Sequence, residues 1–448
     1  MQSDPSRALI VAAVRAAPRR YRLPPLPAGI EAARAADDDT ALAFAIEAAR
    51  LGARGDALRA LFTERLASLI RDALAEQGGD AAFRALVLQT RDADVQRYVR
   101  LDAHAAADRR SVRAVINAVA HPGKLRHEPA GARRDALMHL HQLTSADAWQ
   151  TLAGALAALP PQLHDVRPSL APLRESEPLR RLLEREALLA LPAVRQYHAL
   201  CELRGPLAGS HAAAAQGRAA ARMGDAAEQV TVRVFREIAR MLDAHGGGAS
   251  QHRVVSSLRT PQGFPGEAGK AKDEWDAAIV RQDSPARPAH ILLLAEVKAA
   301  PAAATPDYSR LQRGLDRLAQ ADAHRAYVFP CAEGEVSIAG ASLRELRPQD
   351  RTLPPHVIYC CSAQPEAQPQ MLSAASKAVL LAEPASLSFA QRVAQGGEPS
   401  ADELAPVWTA LTTAERLRSA LHQYDTARAA REAMLRPEDL LAAIAAAS

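Results

Sequence analysis

Residues 291–300 read ILLLAEVKAA. Ile291, Leu292, Leu293, Leu294 and Ala295 form an unbroken apolar run, the pattern of a strand buried on both faces. The run ends on Glu296, Val297 and Lys298. A carboxylate and an ammonium two residues apart on a strand point to the same side of the sheet. Buried charge is costly unless it is paired or bound to a metal. The strand end is therefore either an ion pair fraying into water or a site, and the neighbouring residues decide between them.

Upstream, Glu274–Val280 reads as a second strand, joined to the first by the turn-like RQDSPARPAH of residues 281–290. Paired residue numbers in an antiparallel hairpin sum to a constant. A register symmetric about residue 286 sets Asp276 against Glu296. Directly opposed like charges destabilise paired strands, so two facing carboxylates at the end of a buried hairpin call for a cation. Asp276, Glu296 and the backbone carbonyl of Val297 are hard oxygen donors, suited to Mg²⁺ or Mn²⁺ rather than to zinc. Beside such a metal, Lys298 would orient or help deprotonate a water, or offset charge on a phosphate. The chain has only five lysines, and Lys298 alone has a glutamate two residues before it. A desolvated lysine can lose its proton, which arginine cannot.

The surrounding pattern is mixed. Ala227–Leu242 reads as an amphipathic helix with Val230, Val234, Ile238 and Met241 on one face and Glu228 at its edge. Arg253–Leu258 reads as a strand, and Thr260–Lys272 as a Gly/Pro-rich loop whose Lys270 and Lys272 are placed to contact phosphates. A helix starts at Pro306 with Thr305 as its cap, and Tyr308 and Gln312 share one of its faces. Ala326–Pro330 and His356–Cys361 read as further strands.

Asp276 followed by Glu296–Val297–Lys298 on consecutive strands behind a helix resembles the PD-(D/E)XK nuclease superfamily over about residues 219–363. Trp275 stands where the superfamily's name has proline. The resemblance implies an α-β-β-β-α-β core with a mixed sheet and Mg²⁺-dependent hydrolysis of phosphodiesters. It implies that Asp276 and Glu296 hold the metal, that Lys298 assists the attacking water, and that Glu228 on the preceding helix supplies a further acid. Gln312 lies where some of these nucleases carry a glutamine near a tyrosine.

At 448 residues the chain predicts two or three domains. Helical patterns fill residues 1–203, among them Glu31–Leu51, Asp56–Glu76 and a helix over 145–159 capped by Ser145. Residues 204–221, rich in Gly and Ala, read as a linker or a loosely packed helix. The α/β nuclease-like domain spans 222–363, and 364–448 form a helical C-terminal region with a capping box at Ser400–Glu403. The net charge of +4 permits a polyanionic partner without demanding one, and residues 222–351 carry 18 basic against 17 acidic side chains. A nucleic-acid groove must therefore come from local placement or from the arginine-rich helical flanks. No CxxC pair occurs among Cys201, Cys331, Cys360 and Cys361, so they read as reduced core thiols of a cytoplasmic protein. No apolar run is long enough to span a membrane, and the N-terminus does not read as a signal peptide.

These observations lead to a Mg²⁺-dependent nuclease, with DNA as its expected substrate and the helical flanks free to engage a protein partner. Two alternatives remain open: an inactive nuclease-like fold serving as an interaction scaffold, and a nuclease toxin or defence effector.

Overall fold

The computed structural model describes residues 4–205, 211–245, 251–267, 269, 271–350 and 352–447. The described chain is mostly helical and divides into two compact units. One unit comprises Met1–Leu66, Ala208–Leu380 and Ala405–Ser448; the other comprises Ala67–Leu207 and Leu381–Leu404. These boundaries differ from the sequence-based partition at 203, 221 and 363. Amphipathic periodicity shows that a helix has an apolar face but not what that face meets.

The second unit is helical. Leu137, Leu140, Trp149, Leu152 and Leu182 form part of one core with Val112 and Ile116. Buried Asp108, on the helix Ala93–Ala120, takes two hydrogen bonds from Arg181 of the helix Glu177–Leu188, at 2.8 and 2.6 Å. Ser145 closes a helix over Ala132–Ser145 instead of capping the one that follows, which begins at Trp149.

The first unit holds the α/β core. Helix α1 (Pro5–Ala16) is capped by Asp4, whose carboxylate accepts the Ser6 and Arg7 N–H groups. Helix α2 (His211–His245) runs through the latter part of the expected linker, as its alanine content favours. Three strands follow: β1 (Gln251–Arg259), β2 (Glu274–Gln282) and β3 (His290–Val297). Helix α3 (Ala304–Leu318) leads to a hairpin of β4 (Ala326–Cys331) and β5 (Gly334–Ala339), then to β6 (Val357–Cys360). After further helices, β7 (Met434–Leu435) and helix α4 (Pro437–Ala447) end the chain.

The main sheet has the order β1-β2-β3-β6-β7. Its first three strands are antiparallel, and β6 and β7 add in parallel. Residues of β2 and β3 divide between two cores, alternating along most of each strand as its period requires, with Leu292 and Leu293 of β3 together in one of them. Ala277, Leu293 and Ala295 pack with Ile10 and Val14 of α1, Phe235 and Ile238 of α2, and Leu440 of α4. Ala278, Val280 and Leu294 pack with Tyr308, Leu311 and Leu315 of α3. Both faces are covered, which accounts for the unbroken apolar run of β3.

Two local expectations are corrected. The strand at 326–330 does not join the main sheet; it pairs with β5 in a separate two-stranded sheet. A two-residue turn and Gly334, at φ 108°, close that hairpin locally. The fourth strand of the main sheet is β6, parallel to β3. Thr305 is not a cap, because α3 begins at Ala304 directly after the short 3₁₀ turn Pro301–Ala303. Among the described residues no helix is long and apolar enough to cross a membrane.

Candidate functional site

The site lies where β2 and β3 end beside α3. The β2–β3 pairs Ile279↔Leu293, Ala278↔Leu294 and Ala277↔Ala295 follow one register up to the site, where Asp276 and Glu296 are the next residues of their strands. The register expected from the sequence thus holds at the site end. It slips by one between Ile279 and Val280, so the pairs nearer the turn, Val280↔Ile291 and Arg281↔His290, follow a register one residue different.

Glu296 is 3% exposed. Its Oε1 accepts hydrogen bonds from Lys298 Nζ at 2.8 Å and from Lys272 Nζ at 2.6 Å. Its Oε2 is buried without a hydrogen-bond partner among the described residues. Lys298 also pairs with Asp307 Oδ2 of α3 at 3.0 Å. Asp276 is half-buried, and its Oδ2 accepts the Val297 N–H at 2.6 Å. Lys298 N–H donates to the Cys360 carbonyl, so the parallel ladder to β6 anchors the backbone of both Val297 and Lys298.

Glu228 belongs to the same electrostatic cluster. Ala227, Phe235, Ile238 and Leu242 are the buried face of α2, and Glu228 stands half-buried at its edge. Burial raises its pKa, and the charges of Asp225, Glu296 and Glu274 add to the rise. Asp276 is raised first by burial and further by Glu228, against the opposing pull of Lys272 and Lys298. Glu296 is pushed up to about 7 by burial and then by Asp276, although both lysines oppose the shift. Burial works against the Lys298 charge, but Glu296 and Asp307 outweigh it and raise its pKa. Tyr359 of β6 is buried beside Asp307 and Glu296, and burial followed by those charges holds its hydroxyl protonated.

Several placements differ from the sequence reading. Lys272 does not project from its loop toward solvent: it is 8% exposed and its ammonium is directed inward onto Glu296. Its backbone lies against α3, where Lys272 N–H donates to the Arg310 carbonyl. Lys270 lies outside the described residues. Gln312 is half-buried, one turn beyond Tyr308, whose ring stacks on Tyr359 with centroids 6.5 Å apart. Asp307 and Tyr359 carry no site signal in the sequence. Asp307 reads there only as a first-turn acid of a helix, and Tyr359 only as one residue of an apolar strand.

The donor set suits a hard cation. Four carboxylates (Glu228, Asp276, Glu296 and Asp307) interact with two ammonium groups, which leaves a negative excess when all are ionised. The bare, buried Oε2 of Glu296 is an acceptor without a donor. No cluster of three or more His, Cys, Asp or Glu side chains is arranged as a metal cage among the described residues. Mg²⁺ commonly takes only one or two carboxylates and completes its shell with water. A cavity of ≈ 830 Å³ elsewhere in the unit is lined by Arg7, Arg15, Arg347 and His356 among others and includes none of these site residues.

No protein-family model, curated protein or solved structure matches this chain.

Proposed function

We propose that the chain is a Mg²⁺-dependent nuclease that hydrolyses phosphodiester bonds, with DNA as the first substrate to test. The observation that carries this reading is the convergence of Asp276, Glu296 and Lys298 at one end of the β2–β3 hairpin, with Glu296 Oε2 buried and unpartnered. Asp276 and Glu296 would hold the cation, Glu228 would support it from α2, and Mn²⁺ would substitute. The Val297 carbonyl is the candidate backbone ligand. A bound divalent cation lowers the pKa of its water and offsets charge on the scissile phosphate. Lys298, held between Glu296 and Asp307, is placed to orient that water or to meet the charge that develops on the phosphate. Three antiparallel strands, a parallel fourth and helices on both faces are compatible with the core that the PD-(D/E)XK resemblance implies.

The test is incubation of the full chain with plasmid, linear DNA and RNA in Mg²⁺, Mn²⁺ or EDTA, beside Glu296→Gln. Cleavage that needs the metal and is lost in the variant supports the reading. An intact substrate under every metal condition rejects it.

One observation favours a second reading. Lys272 and Lys298 already neutralise Glu296, as expected of an inactive scaffold in which the cluster only joins strand to helix. That protein would cleave nothing, and its helical flanks would carry its interactions.

A further inference from the structure

We propose that Lys272 is a tethered counter-ion that occupies Glu296 in the metal-free protein and competes with the incoming divalent cation for it. The inference rests on the metal-site reading above and goes beyond it, because it assigns a regulatory contact to a residue outside the strand motif.

The two lysines on Glu296 are not equivalent. Lys298 has two acidic partners, Glu296 and Asp307, and keeps the second if the first is taken. Lys272 has one salt bridge among the described residues, to Glu296 at 2.6 Å. Both ammonium groups use the same oxygen, Oε1, while Oε2 stays bare. Lys272 therefore places a positive charge on the carboxylate the cation needs, without filling the oxygen the cation would take.

The backbone of Lys272 is held in place. Its N–H is bonded to the Arg310 carbonyl, and its Cβ and carbonyl lie against Gly314 of α3. Only the side chain is free to leave. A lysine stem of four methylenes ending in a compact, strongly hydrated ammonium suits that movement. A dication on Glu296 would repel an ammonium on the same carboxylate, so each weakens the other's hold. By linkage, a variant that lacks the ammonium binds the metal more tightly and gains more stability from it.

The experiment compares the full-length parent with Lys272→Met and Lys272→Gln. Mn²⁺ binding is measured by calorimetry, thermal unfolding is followed in EDTA and in Mn²⁺, and DNA binding is measured in EDTA. Both variants are expected to unfold at lower temperature than the parent in EDTA, because Glu296 loses a charge partner. Both are expected to bind Mn²⁺ at least about tenfold more tightly. Their Mn²⁺-induced rise in Tm should exceed the parent's. Lys272→Gln, which keeps a hydrogen-bond donor, covers the case in which Lys272→Met does not fold. If the parent binds Mn²⁺ and a folded variant binds it equally or more weakly, the competition is refuted while the metal site stands. If the variants lose DNA affinity at unchanged Mn²⁺ affinity, Lys272 is a phosphate contact and the proposal fails. If neither parent nor variant binds Mn²⁺, the metal-site reading fails as well, and Lys272 is a permanent structural partner of Glu296.

Discussion

Gly314 of α3 lies against Lys272 so closely that a Cβ at Gly314 would stand 2.8 Å from the Lys272 carbonyl oxygen and 2.9 Å from its Cβ. This contact sets how near the Lys272 loop comes to the sheet, and so whether the ammonium reaches Glu296. Alanine at this position gains roughly 1 kcal/mol of helix propensity. It must also push aside a backbone segment fixed by its own hydrogen bond, and overpacking of this kind typically costs about 1–3 kcal/mol. Gly314→Ala is therefore expected to be net destabilising, by about 1 kcal/mol, in urea unfolding. An unchanged or raised midpoint would show that the loop yields freely and that the approach of Lys272 is not set at Gly314.

The raised pKa of Glu296 gives a pH dependence with a definite sign. Burial first, and then Asp276, lift it to about 7. In the unfolded chain a glutamate titrates at about 4.3. Between those values the folded state holds a proton that the unfolded state has released, so this residue's contribution to stability falls as pH rises through that window. Asp276 and Glu228 shift in the same direction. Glu296→Gln removes the Glu296 part. In EDTA the variant should gain on the parent by on the order of 1–3 kcal/mol between about pH 5 and pH 8. Urea melts at the two pH values measure this difference, and a gap that does not change with pH would contradict it.

Catalysis gives the most direct check on the named roles. Lys298→Ala and Asp276→Asn should each lower Mg²⁺-dependent cleavage by at least about 100-fold. Circular dichroism of each variant should match the parent, since neither residue belongs to the apolar clusters on the two sheet faces. Full activity in Asp276→Asn would remove Asp276 from the site.

The cysteines allow a test of the core that is independent of function. All four are free; Cys360 and Cys361 are buried, while Cys201 and Cys331 are half-buried. Burial raises the thiol pKa of Cys360, Cys361 and Cys331. Buried thiols of high pKa react slowly. In the native protein a thiol reagent should modify Cys201 and Cys331 first, and Cys360 and Cys361 only after denaturant is added. Mass mapping of the modified peptides reads the order. Rapid native labelling of Cys360 would mean that β6 is not held in the sheet as described.

Much of the site was legible in the sequence because it depends on order along single strands and on one hairpin. The apolar run of residues 291–295 announces a strand covered on both faces, and its two-residue period puts Glu296 and Lys298 on one side. A hairpin symmetric about residue 286 gives the register found at Ala277↔Ala295, next to Asp276 and Glu296, although the pairs nearer the turn are shifted by one. Glu228 could be placed at the edge of a helix face by the 3.6-residue period alone.

The identity of the groups that surround Glu296 was decided only by tertiary packing. Lys272 lies 24 residues before it in the chain and reads locally as a loop charge. Its ammonium turns inward because Gly314 lets the loop lie against α3 and because a buried carboxylate needs a partner. Asp307 and Tyr359 reach the cluster on α3 and on the parallel strand β6, and no local pattern says where a crossover returns. The same holds for α1, whose Ile10 and Val14 cover the sheet from the far end of the sequence. Periodicity is a property of one element and is written in its own residues. The partner of a buried charge or an apolar face is a property of two elements, fixed by which packing of the whole chain removes the most apolar surface from water and leaves the fewest charges unpaired.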